Sequence, residues 1–295
     1  MLNLKEMYDL KIITEKNIWN DFIINSWFEF YSFVDSFEWW EFNILEWNKV
    51  FRYWIYFKNE LVWVFQLIKV SAKRWTYFFT PHWPLIKDER LKTKDKSDWK
   101  TDYFNILWSI LPQIKEIAKN ERCSFVRLNT TLKNTKINEA EMKKLWFISS
   151  PMHIHAEDTH LLNLEKTEEE LLENMDRKDR YLITRAEKEW VEIINENSPE
   201  QIKSLSQMHE NHSKRENWKN TYKAFSSKYI NDLYKVFWKN IFTISAKYNW
   251  KIESILMTIK FWKVMVYYIA ASDIVSKKFS PNYLCQWEAI KNAKN

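Results

Sequence analysis

The chain has 295 residues, a formal charge of +6, two cysteines, 18 tryptophans and no glycine. That length allows one large or two modest domains, and the charge suits a polyanionic partner without demanding one. Cys123 and Cys285, far apart and outside any C-x-x-C, exclude a disulfide framework and a cysteine zinc site and point to a reducing compartment. No apolar run approaches the ~20 residues that span a bilayer.

In chain order, residues 1–45 read as helical and aromatic-rich, ending in SFVDSFEWWEF. VFRYWIYF and LVWVFQLIKV then read as a strand pair around a turn at Lys58-Asn59-Glu60, with RWTYFFT as a third strand and PHWPLIK as a loop. The charged linker KDERLKTKDKSD precedes a helix from about Asp98 to Lys119, striped by Tyr103, Ile106, Leu107, Ile110, Ile114 and Ile117. A short Lys-rich helical segment ends near Leu145, after CSFVRLN as a strand.

After Pro151 the pattern begins again. HLLNL reads as a strand, and Thr167 with Glu170 forms a capping box ahead of Leu171 and Leu172. A helix over about Arg177–Glu189 leads to the strand VEIIN and to helices over Pro199–Glu210 and Ser226–Lys239. IFTISAKY, KIESILMTIK and VMVYYIAAS then read as strands, and Pro281–Lys294 as a helix with proline at its start. Similar halves indicate a duplicated α/β unit divided at 1–150 and 151–295. The chain stops on a helix where such a unit would return to its sheet, so the C-terminus is read as truncated.

The tryptophans stand where glycines belong. At about 7% usage roughly 20 glycines are expected in this length, because turns and helix C-caps need a residue that enters φ > 0 freely. Trp190 follows the helix that begins at Arg177, Asn249-Trp250 separates two strands where Asn-Gly makes a hairpin, and Trp262 does the same for the next pair. Most of these tryptophans are therefore read as UGA codons that encode glycine in the source organism. A Trp-rich sugar binder is the alternative, which explains the tryptophan excess but not the missing glycine.

Few constellations carry chemistry. His153, His155 and His160 invite a metal reading, but no cysteine or carboxylate completes a familiar spacing, although Glu157 and Asp158 are near, and no metal is expected. No G-x-S-x-G, H-E-x-x-H, Walker loop or acetyl-CoA pyrophosphate loop is present, even with Trp read as Gly, so no cofactor is expected. On the 177–189 helix, Leu182, Ile183 and Ala186 form a narrow apolar stripe, and Arg177, Arg180, Tyr181, Thr184, Arg185 and Lys188 lie opposite. That face is either an oxyanion or phosphate site or a solvated surface with pairs such as Asp176–Arg180 and Arg185–Glu189. Arg215, in MHENHSKREN, and Tyr229, Tyr267 and Tyr268 are candidates for the site or for the core.

Read with glycine at those positions, the chain resembles the Fem-type peptidoglycan bridge-forming aminoacyltransferases along nearly its whole length. SFEWWEF is similar to the family's Gln-Ser-x-x-Trp-Gly-x-Phe, making Trp39 genuine and Trp40 a glycine. YFFTPHWPLI resembles Tyr-x-Pro-Arg-Gly-Pro with His82 in the arginine's place. Arg180, Ile183, Arg185, Ala186, Trp190 and Val191 loosely follow the Arg-x-x-Ile-Arg-x-Ala-x-x-x-Gly-Val signature. VYYIAAS and NYLCQWEAIKNAK look like two later motifs, the second making Trp287 genuine. The resemblance implies an α/β fold of two tandem GNAT-like domains and transfer of an amino acid from aminoacyl-tRNA to the stem-peptide amine of a UDP- or lipid-linked peptidoglycan precursor. It implies a cytoplasmic protein in peripheral contact with the inner membrane surface.

The Arg180/Arg185 region would approach the precursor's diphosphate. Arg177, Lys188, Arg215, Tyr229, Tyr267 and Tyr268 complete the candidate substrate-binding set. No catalytic residue is assigned. Glu41 and Asn43 stand where some members carry a lysine, and the family's Tyr-Asp-Phe-x-Gly segment lies beyond Asn295. An N-acyltransferase with another acceptor, or a non-catalytic binder of anionic or glycan ligands, remain alternatives.

Overall fold

Alternating runs of β-branched and aromatic residues build two separate sheets. The computed structural model describes residues 8–25, 30–57, 60–82, 85–86, 99–151, 154, 159–216, 225–273 and 280–294. The chain divides into two units, Met1–Thr159 and His160–Asn295.

In the first unit, strands β1 (Tyr8–Ile12), β2 (Lys49–Phe57), β3 (Glu60–Ser71), β4 (Thr76–Thr80) and β6 (Val126–Leu128) lie in the order β1-β2-β3-β4-β6. The short β5 (Leu85–Ile86) pairs with β3, inside the stretch expected to be loop. Among the described residues of this unit only β4–β6 is a parallel pair; a parallel pair needs a long crossover, and helix α3 (Trp99–Asn120) is part of it. Its stripe behaves as its spacing requires: Tyr103, Ile106, Leu107, Ile110 and Ile114 are buried. Helices α1 (Lys16–Asn25), α2 (Phe37–Leu45) and α4 (Lys136–Lys144) complete the unit. The expectation of helix throughout 1–45 fails at its start, where Tyr8–Ile12 adds a strand to the edge of β2, with Leu10 opposite Ile55. Five residues are too few for local propensity to outweigh a ready sheet edge.

The core of this unit is aromatic: Trp19, Trp40, Trp63, Phe33, Phe42, Phe65 and Phe78 are fully buried, so Trp40, which the resemblance reads as a glycine, has helical backbone within α2 and a side chain that fills the core. The Trp19 indole donates to the Asp35 carbonyl at 2.8 Å and meets the Trp40 ring edge-on at 4.6 Å.

The second unit carries helices α5 (Glu168–Glu173), α6 (Arg177–Lys188), α7 (Pro199–Glu216), α8 (Ser227–Phe237) and α9 (Pro281–Lys294) around strands β7 (Glu192–Asn195), β8 (Ile241–Tyr248), β9 (Lys251–Phe261) and β10 (Val264–Ser272). The sheet is antiparallel throughout, in the order β10-β9-β8-β7. Ile183 and Ala186 of α6 pack with Leu171, Ile244, Leu256, Leu284, Cys285 and Trp287. The capping box at Thr167 is formed in both directions. HLLNL is not a strand: residues 160–164 join no ladder and Leu161 is 70% exposed. Apolar content alone does not make a strand when no partner edge is offered.

Four helices end alike, α3 with Arg122 (φ 56°), whose N–H bonds the Lys119 carbonyl while the Cys123 N–H bonds that of Ala118, and the other three with tryptophan. Trp47, Trp146 and Trp190 have φ of 64°, 66° and 61°, and each N–H bonds the carbonyl three residues back (Ile44, Lys143, Glu187). The next N–H (Asn48, Phe147, Val191) bonds the carbonyl five back (Asn43, Met142, Ala186). This is the Schellman motif with the left-handed C′ position that glycine usually fills. Between β8 and β9, Asn249 (46°) and Trp250 (66°) are both left-handed, as a type I′ hairpin turn demands. In the two-residue loop between β9 and β10, Phe261 pairs with Val264. Its first residue, Trp262, has φ of 54°, the position where a II′ turn takes glycine. Among the described residues no helix is long and apolar enough to cross a membrane.

Candidate functional site

The second unit gathers the predicted site residues unequally. On α6, Ile183 and Ala186 face the core, which turns Arg177, Tyr181, Arg185 and Lys188 outward. Arg180 is already occupied: its Nη1 donates to the carbonyls of Glu173 (2.9 Å), Leu172 (3.4 Å) and Met175. These are carbonyls at the end of α5, which a helix leaves unsatisfied. Arg180 thus ties α5 to α6 in this structure instead of presenting a free fork. Neither the Asp176–Arg180 nor the Arg185–Glu189 pair is formed among the described residues; Arg177 and Lys188 are exposed and Arg185 is half-buried.

The tyrosines separate. A register shift between Tyr267 and Ile269 leaves Tyr268 as the extra residue of a bulge on β10, a device that re-aims a side chain. The Tyr268 hydroxyl meets that of Tyr229, from α8, at 2.5 Å. Ser226, the N-cap of α8, receives the Tyr229 N–H at 3.1 Å and so sets where that helix begins. Tyr267 is half-exposed and pairs instead with Gln286 of α9. The side chain of Arg215 lies outside the described residues.

Two residues join the tyrosine pair that the sequence did not single out. Phe225 stacks on Tyr229 (ring centroids 4.6 Å, 12° apart) and lies 6.0 Å from Tyr268, and the buried His209 of α7 is 5.7 Å from Phe225. Burial pushes the Tyr268 phenol up to about 12, only partly offset by the Tyr229 hydrogen bond. Burial also lowers His209, the nearby His212 adding to the effect. Around neutral pH both groups are therefore uncharged. The pair can donate or accept hydrogen bonds to a carbonyl or amine beside an aromatic wall, but it supplies no ready anion.

In the first unit His82, the residue that replaces the family's arginine, has φ of 56° and places Nδ1 3.1 Å from Asp35 Oδ2. The Asp35 carboxylate is fully buried and also accepts the Ser32 N–H at 2.8 Å, while its Oδ1 has no partner among the described residues. Glu41 lies in the Lys16–Glu38–Glu41 ion cluster and Asn43 donates to the Trp39 carbonyl. A separate groove of about 580 Å³ runs between α3, the start of β6 and the end of α4, lined by Lys115, Lys119, Arg122, Phe125 and Trp146. It contains none of the predicted site residues. His153 and His155 lie outside the described residues, and among the described residues no group of three metal-ligating side chains occurs.

No family model and no curated protein matches the sequence. Solved structures do. A crystal structure of FemX superposes with a TM-score of 0.72 over 97% of this chain and 86% of that one, at 14% identity. The chain has the FemX fold. A conserved protein of unknown function from Bacteroides thetaiotaomicron VPI-5482 matches over the same shares at 14% identity, with a TM-score of 0.55. The expected class, α/β with two GNAT-like units in tandem, is the one found.

Proposed function

We propose that the protein transfers an amino acid from aminoacyl-tRNA to the stem-peptide amine of a peptidoglycan precursor, in the formation of cell-wall cross-bridges. The FemX-like fold along 97% of the chain carries this reading, together with the ordered motifs by which the sequence resembles the Fem-type family. The cations Arg177, Arg185 and Lys188 supply a face for the precursor's diphosphate. Arg180 acts there by bracing α5 against α6. The net charge of +6 favours approach of both anionic substrates.

The chemistry is aminolysis of an ester. The neutral amine attacks the aminoacyl carbonyl, an oxyanion develops, and the ribose oxygen of the tRNA leaves. Positioning and hydrogen-bond donation to developing charge are the protein's contributions; Tyr229 and Tyr268, neutral donors against an aromatic wall, suit that part. The resemblance also makes the protein cytoplasmic and a peripheral visitor to the inner membrane surface. The test is incubation of the purified protein with charged tRNA and a UDP-linked muropeptide. Extension of the stem peptide supports the proposal. No transfer with any aminoacyl-tRNA, or transfer from an acyl-CoA instead, sinks it.

A further inference from the structure

We infer that Trp47, Trp146, Trp190, Trp250 and Trp262 are glycines in the native protein, and that Trp19 and Trp287 are genuine tryptophans. Composition shows an excess of one residue and a lack of another; the backbone says at which positions the exchange occurred. Nine non-glycine residues among those described have φ between 46° and 66°, and five of them are tryptophan. With 18 tryptophans in 295 residues, fewer than one would fall there if residue type were indifferent to φ. Tryptophan is in addition a bulky residue for which the left-handed region is a true outlier.

The five positions are also those where a specific motif calls for glycine. Three are C′ residues of Schellman caps and two are central residues of tight hairpins. Their side chains are little used: the Lys247 ammonium lies 5.0 Å over the Trp250 ring and Trp146 lines part of the groove beside α3, both at the surface. Trp47, Trp146, Trp190 and Trp250 are 83–90% exposed and Trp262 is 51% exposed, although indoles are normally largely buried. Trp19 and Trp287 are the opposite case. Both lie in helices with ordinary φ; Trp19 is fully buried with its N–H on the Asp35 carbonyl, and Trp287 is part of the second unit's core.

The exchange reshapes the surface of the native protein. It removes four highly exposed indoles, those of Trp47, Trp146, Trp190 and Trp250, and takes away the Trp146 wall of the groove beside α3, leaving a wider channel rimmed by Lys115, Lys119 and Arg122. None of this depends on what the protein transfers.

Peptide mass spectrometry of the protein purified from its own source, with the gene sequence beside it, decides the matter. The expected result is TGA codons and glycine masses at all five positions, with TGG and tryptophan masses at Trp19 and Trp287. A tryptophan mass at any of the five, or glycine at Trp19 or Trp287, overturns the assignment. A second measurement needs only recombinant protein. The five-fold Trp→Gly variant should unfold about 2–4 °C higher per position, whereas Trp19→Gly should unfold lower. A five-fold variant that melts below the parent chain overturns the inference independently of the codons.

Discussion

The two units use aromatic residues to different extents in their cores. In the first they are the core: Trp19, Phe33, Phe42, Phe65 and Phe78 fill the space between helices and sheet. In the second, the fully buried strand positions are largely aliphatic, with Ile244, Ile255, Leu256, Met257 and Ile259 at the centre, while Phe225, Tyr229 and Tyr268 stack beside α8 without being fully buried. An aromatic group kept out of an aliphatic core, with two hydroxyls in contact, is poorly explained by packing. In the function proposed above it is the surface that receives substrate. Sequence treats all these aromatics alike; their neighbours separate them.

The largest test of that contrast is Trp19→Ala. Loss of a fully buried indole and its hydrogen bond should cost about 3–5 kcal/mol, measured by chemical denaturation. A cost under about 1 kcal/mol would show that the first unit's aromatics are not its core. Asp35→Ala should come next. It leaves the Ser32 N–H and His82 without their acceptor and should cost about 2–3 kcal/mol; Asp35→Asn should recover part of that.

Tyr268→Phe sharpens the comparison from the other side. It should change stability by about 1 kcal/mol or less and lower the transfer rate by about tenfold, some 1.4 kcal/mol in the barrier. Equal effects on stability and none on rate would make the tyrosine pair structural. The same residue predicts a pH signature. Its folded pKa of about 12 lies above the ordinary value of 10.0. Its stabilisation is therefore complete below pH 10 and is lost as pH rises from about 10 to 12, and Tyr268→Phe should flatten that loss. His209 runs the other way. Its folded pKa lies below 6.5, so its contribution is present above that pH and lost as pH falls below it; His209→Gln should make the acid limb shallower.

The smallest expected effects divide the basic helix. Arg180→Ala should lower the unfolding midpoint, because the carbonyls of Glu173 and Met175 lose the Arg180 donor, while that of Leu172 keeps the Met175 N–H. Arg185→Ala should leave the midpoint unchanged and raise KM for the diphosphate-bearing acceptor severalfold. A reversed pattern would return Arg180 to the role the sequence suggested.

Much of the fold was legible beforehand because it rests on short-range patterns. Period-two runs marked β2, β3 and β8–β10, the 3.6-residue stripe marked α3, and Thr167 with Glu170 marked the start of α5. Misreadings arose where the decision was non-local. Tyr8–Ile12 became a strand because β2 offered an edge, and residues 160–164 did not because no edge was offered. The site was less legible. Arg180 and Arg185 look equivalent on a helical wheel, but only Arg180 lies within reach of the α5 carbonyls, and no periodicity relates His209, Phe225 and Tyr229 to Tyr268.

What the sequence presented by itself was a lack of glycine beside an excess of tryptophan, in a chain whose turns and helix ends favour glycine. It also determined which segments are strands and helices through most of the chain, because those depend on neighbours a few residues away. The sequence already pointed to Trp190, Trp250 and Trp262 at such turns and helix ends; only the tertiary structure decided which arginine is bound to a helix end and which two tyrosines touch. Each of those depends on where the chain returns after tens of residues, and in the case of Tyr268 on a single bulge in β10 that turns its hydroxyl toward α8.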